Sequence, residues 1–88
     1  MKIKDGFMLR KVAENYVVVP VGKEALDFNG MVTMNETGAF LWKQMEEDRT
    51  KEELLKALME EYEVTEERAS AGVEKFLELI EENQFGEN

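Results

Sequence analysis

The chain has no cysteine and no histidine among its 88 residues, and a single proline. Lack of cysteine excludes a thiolate nucleophile, a disulfide, a zinc–thiolate site and an iron–sulfur cluster. Lack of histidine removes the side chain that titrates near neutral pH and the commonest metal ligand. Long apolar runs are missing too. The longest, Tyr16 to Val21, already contains Pro20, against about 20 residues for a membrane-spanning helix. No apolar signal core follows Met1-Lys2-Ile3-Lys4-Asp5-Gly6. These absences predict a cytoplasmic domain with no cofactor, no metal and no membrane partner.

Positive charge is also scarce, with 11 Lys and Arg against 20 Asp and Glu, a net charge of −9. The imbalance is unevenly spread. Residues 1–35 carry five basic and four acidic side chains, whereas residues 36–88 carry six basic and sixteen acidic, a net of −10. Glycine and β-branched residues favour the first part and helix formers the second. With 43% hydrophobic residues and eight aromatics the chain can build one small core. A chain of this mass buries roughly two-thirds of its unfolded surface, which leaves no room for a deep cofactor cavity. No repeat or linker divides it, so residues 1–88 read as a single α+β domain, strands at about 6–34 and helices at about 36–83.

Phe7 to Val12 alternates as a half-buried strand, and Ala13-Glu14-Asn15 supplies a turn. Tyr16-Val17-Val18-Val19 is the strongest strand signal, ended by Pro20, which has no N–H to donate. Leu26-Asp27-Phe28, Asn29-Gly30 and Met31-Val32-Thr33-Met34 read as a hairpin, because Asn-Gly takes positive φ at both central turn positions. The expectation is an antiparallel sheet of three strands, with room for a short fourth.

Three helices follow. Asn35 caps the first, with the body Ala39-Phe40-Leu41-Trp42 and Met45. Thr50 and Glu53 form a capping box that opens the second, with Leu54, Leu55, Leu58 and Tyr62 on one side. Thr65 caps the third, where Glu66 and Glu67 complement the positive end of the helix dipole. Ala69, Val73, Phe76, Leu77 and Ile80 form one apolar stripe along it, and Ser70, Glu74, Glu78 and Glu81 lie opposite.

Nothing here reads as an enzyme. Ser70 is the only serine and has no histidine to activate it. The pairs Glu46-Glu47, Glu52-Glu53, Glu60-Glu61, Glu66-Glu67 and Glu81-Glu82 fall on solvated helix faces, whereas acid–base catalysis needs a desolvated carboxyl in a cleft. Gly22-Lys23 lacks the rest of a phosphate loop, and Asp5, Asp27 and Asp48 are too isolated for a calcium loop. A small sheet with three helices is compatible with a winged helix-turn-helix regulator, the rival class. Its third helix, however, offers only Arg68 and Lys75 among Glu66, Glu67, Glu74, Glu78, Glu81 and Glu82, and each phosphate contact needs a cation. Nucleic acid is therefore not an expected partner. A structural subunit without any groove is the third class.

Peptide binding is the class that accounts for otherwise unexplained residues. Gly72 sits inside the third helix, where it costs about 1 kcal/mol relative to Ala. It lies beside the apolar stripe, near Phe76, Leu79 and Asn83, and Leu79 widens the apolar surface on that flank. Met31 to Met34 ends the meander and can form an edge with unpaired N–H and C=O groups. An edge strand next to an apolar helix flank is the geometry of β-strand addition by a peptide. The methionines Met8, Met45 and Met59 read as core filler, leaving Met31 and Met34 as edge candidates.

Leu26 to Trp42 as a run, then Thr50-Lys51-Glu52-Glu53-Leu54, Tyr62 and the Val73 to Ile80 helix, resemble the PqqD family, over about Gly6 to Phe85. Its members are recognition elements for ribosomally synthesised, post-translationally modified peptides. The resemblance implies a winged helix-turn-helix-like fold of three strands and three helices. It also implies a non-catalytic chaperone that binds the leader segment of a precursor peptide. The leader adds as a strand and is presented to a modifying enzyme such as a radical S-adenosylmethionine maturase. Carried onto this chain, the strand is Met31, Val32, Thr33 and Met34, and the helix side is Gly72, Val73, Phe76, Leu79 and Ile80, with a selective pocket around Phe76 and Leu79. One departure is the tail Asn83-Gln84-Phe85-Gly86, which lacks a Leu-rich ending. On this reading the acidic helical layer suits a leader carrying Lys or Arg, or a basic patch on the enzyme.

Overall fold

The computed structural model describes residues 1–22 and 31–87. The elements run in the order β1 (Lys2–Ile3), β2 (Phe7–Val12), β3 (Asn15–Pro20), β4 (Val32–Met34), α1 (Glu36–Gln44), α2 (Lys51–Glu61), α3 (Glu66–Glu82) and β5 (Gly86–Glu87). The main sheet is antiparallel in the order β2-β3-β4, and three helices follow it. This is the expected α+β architecture. The anticipated Leu26–Phe28 strand and its Asn29-Gly30 turn lie outside the described residues.

Strands β2 and β3 form a tight hairpin, from Phe7↔Pro20 at one end to Val12↔Asn15 at the other. Its two-residue loop requires positive φ at the first position, and Ala13 supplies it at φ 57. Strand β4 pairs with β3 through Tyr16↔Met34, Val17↔Thr33 and Val18↔Val32. The register puts Val18, Val32 and Met34 on the face that meets the helices.

Each helix starts where its cap dictates. Asn35 accepts a hydrogen bond from the Gly38 N–H at 2.8 Å. Thr50 and Glu53 complete the reciprocal capping box, the Glu53 N–H donating to Thr50 Oγ1 at 3.1 Å and the Thr50 N–H to Glu53 Oε1 at 2.9 Å. Thr65 accepts from the Arg68 N–H at 3.2 Å. Helix α1 lies against β3 and β4, and α3 packs on α1 and α2. Gly38 eases the first contact, since a Cβ there would stand 3.2 Å from Met34 Cβ, which would have to give way slightly.

A second, two-stranded ribbon pairs β1 with β5 (Lys2↔Glu87, Ile3↔Gly86), and the sequence reading did not include it. It forms because α3 ends in a Schellman motif. The Phe85 N–H reaches back to the Ile80 carbonyl (3.0 Å) and the Gln84 N–H to that of Glu81 (3.1 Å). Gln84 takes the left-handed position at φ 55. The reversal drives Phe85 into the core, where it is fully buried. Its ring centroid lies 4.6 Å from that of Phe7 and 5.6 Å from that of Trp42. The tail that departs from a Leu-rich ending thus closes the domain with one aromatic.

The remaining core joins Ile3, Leu41, Trp42, Met45, Leu54, Leu58, Val73 and Ile80. Burying each such side chain contributes about 1.5–3 kcal/mol. Met34 and Met45 fill the core, whereas Met8, Met31 and Met59 are exposed, contrary to the core-filler expectation for Met8 and Met59.

Candidate functional site: a strand edge and a helix flank

Strand β4 is three residues long and, among the described residues, pairs on one side only. Its other side presents main-chain N–H and C=O groups that no described strand uses. Met31 precedes it and is 73% exposed, Val32 is half-buried, Thr33 is exposed and Met34 is buried. What β4 offers a ligand is chiefly its backbone.

The α3 residues divide by depth. Val73, Phe76 and Ile80 are buried, Phe76 at 5% exposure. They form the floor on which the sheet and helices meet, and Phe76 lies deepest along the flank that bears Gly72 and Leu79. Phe76, around which a selective pocket is expected, thus lies within the core. The spacing that places these residues on one stripe is the spacing of a core-facing helix, and the core claims them. Leu79 and Gly72 remain half-buried. Leu79 packs at the margin of the same core as Val32. Gly72 leaves space, for a Cβ there would meet only Leu58 Cδ2, at 3.8 Å.

The opposite flank of α3 is occupied. Lys51 Nζ bonds Glu74 at 3.2 Å, tying the start of α2 to α3. Leu77, Ile80 and Glu81 line an open hollow of about 660 Å³ with Lys2 and Gly86 of the β1–β5 ribbon and the adjoining Lys4. The flank bearing Gly72 and Leu79 is thus turned away from both.

No side chain that can ionise is buried among the described residues, and none of them forms a His, Cys, Asp or Glu group able to hold a metal. The carboxylates that move in pKa move down: Asp48 through its hydrogen bond and ion pair with the chain-terminal amine, Glu53 through its capping hydrogen bond from the Thr50 backbone. Tyr62, half-buried, is raised, mainly by partial desolvation and then by the nearby Glu36 and Glu61. Its ring meets Phe40 edge-on at 5.7 Å. Neither lowered carboxylate suits a general acid. No helix among the described residues is long and apolar enough to cross a membrane.

The site residues that sequence reasoning missed are those that fix the frame. Phe85 had a legible signal in the apolar residue two positions past the helix C-cap, but Gln84 stands where glycine would have announced the motif. Gly38 had its spacing from Met34 hidden by the fold.

Comparison with known proteins gives three results. No curated protein matches the chain in sequence. The solved structure of "TbiB1 in Complex with the TbiA(beta) Leader Peptide" matches with a TM-score of 0.73 at 20% identity, covering 97% of this chain and 93% of that chain. At that identity the shared property is the fold. The family "Coenzyme PQQ synthesis protein D (PqqD)" matches residues 15–85, which includes β3, β4 and all three helices and ends at Phe85. The chain belongs to the PqqD family.

Proposed function

We propose that the chain is a recognition element that binds the leader segment of a ribosomally made precursor peptide by strand addition at β4 and presents it to a separate modifying enzyme in the cytoplasm. The observation that carries this reading is the edge of β4 that no strand pairs among the described residues, in a chain of the PqqD family. The fold shared with TbiB1, solved with a leader peptide, supports it. Main-chain pairing along Val32–Met34 fixes the register of the leader. Leu79, Val32 and the space at Gly72 receive its apolar side chains, while Val73, Phe76 and Ile80 act beneath them as a rigid floor. The chain performs no chemistry of its own and raises the effective concentration of the precursor at the enzyme.

A peptide selected from a random display library against the protein tests this. It shifts the amide resonances of Val32–Met34 and of Gly72–Leu79 on titration. N-methylation of its central backbone amides weakens it at least tenfold, because strand pairing needs those donors. Equal binding by the N-methylated peptide, or shifts confined to other elements, overturns the proposal.

A further inference from the structure

The charge on α3 is sorted around its axis. At 100° per residue, turning outward from Phe76 one meets Asn83, Gly72 and Leu79, then Arg68 and Lys75. Only beyond these cations come Glu82, Glu78, Glu67, Glu74 and Glu81. Arg68 and Lys75 are the only two cations of the helix. Both are exposed, and among the described residues neither forms an ion pair. By contrast Lys51, on α2, is already engaged by Glu74. The two unengaged charges therefore edge the Gly72–Leu79 flank.

From this we infer that the peptide received at β4 is acidic, carrying Asp or Glu beside its apolar anchors, with Arg68 and Lys75 as the groups that pair with them. The inference rests on the strand-addition reading of the site. It runs against the net charge of −9, which taken alone favours a basic ligand. At about 1.5 Å per residue the two cations stand about 10 Å apart along the helix. An extended strand running beside them covers that distance in about three residues. Two carboxylates four residues apart on the peptide share one face of the strand and, with the reach of the long Arg and Lys side chains, meet both cations; the Arg68 guanidinium can take one of them bidentately. Local contacts prevail over the overall field because the field is screened within about 10 Å at 0.1 M salt, whereas pairs in contact are not.

The test is an mRNA-display selection of random 16-residue segments on the whole chain at 0.15 M salt, with the winning peptides titrated by NMR and fluorescence anisotropy. The expected pool moves the β4 amides and is enriched in Asp and Glu. Arg68→Glu with Lys75→Glu then weakens the winners about tenfold or more, since each rim charge is lost and also reversed. The control pair Lys43→Glu with Lys56→Glu, exposed on α1 and α2, changes net charge equally and alters affinity less than twofold. A pool that moves β4 but is enriched in Lys and Arg, or indifferent to charge, overturns the inference and leaves strand addition standing. Equal losses in the two double variants overturn it as well. A pool that does not touch β4 removes both readings together.

Discussion

Truncating Phe85 to alanine measures how much of the domain depends on its last buried ring. The side chain has no solvent exposure and contacts Phe7 and Trp42 at centroid separations of 4.6 and 5.6 Å. Removing such a ring costs about 3–5 kcal/mol, from lost transfer energy plus the cavity left behind. The tilted contact with Phe7 and the edge-to-face contact with Trp42 account for about 0.5–1.5 kcal/mol each within that total. A domain of this size has roughly 4–13 kcal/mol to lose, so the variant gives up a large share and melts about 15–30 °C lower. Trp42, the single tryptophan, is 2% exposed and rests on the ring. Its fluorescence therefore reports guanidinium unfolding directly. Phe85→Leu, which keeps most of the volume, should lose no more than about 1.5 kcal/mol. A loss below about 1 kcal/mol for Phe85→Ala, at unchanged denaturant slope, would refute the placement of the ring.

Two further perturbations read the ends of the helices. Gln84→Gly relieves the left-handed conformation at φ 55 and raises stability by about 0.5–1 kcal/mol in the same unfolding assay. Thr50→Ala removes the α2 cap and costs about 1 kcal/mol. The pKa of Glu53 is held down by hydrogen bonds from Thr50, so its contribution is present above its unfolded pKa and is lost as pH falls through the lower folded value. Glu53→Gln therefore shows a shallower fall in melting temperature on acidification than the parent chain.

How much of this was legible in the residues depended on the range of the interaction. Caps at Asn35, Thr50 and Thr65 are three-residue chemistry, and each forms as read. The β2 and β3 strands carry their own period and their own turn. The β1–β5 ribbon has no period, being two residues on each side, and depends on a helix reversal at a residue that disfavours it. The site was half legible for a related reason. A wheel shows that Gly72, Val73, Phe76, Leu79 and Ile80 share a side of α3, but it cannot say how deep the neighbouring elements press. In the fold the middle of that set is floor and only its margin is accessible. The same wheel already held the positions of Arg68 and Lys75. Their meaning emerged once the Lys51–Glu74 pair and the ribbon had claimed the other flank.

The β1–β5 pairing brings Lys2 directly opposite Glu87, so the chain leaves the domain next to where it came in. That makes the unit portable. It can be spliced into a surface loop of a host protein through two adjacent junctions, with little loop-closure entropy added and no strand of the β2-β3-β4 sheet cut. A modifying enzyme could in this way be given its own peptide receiver as a cassette. The seam would lie on the Leu77 and Glu81 side of α3, away from the β4 edge.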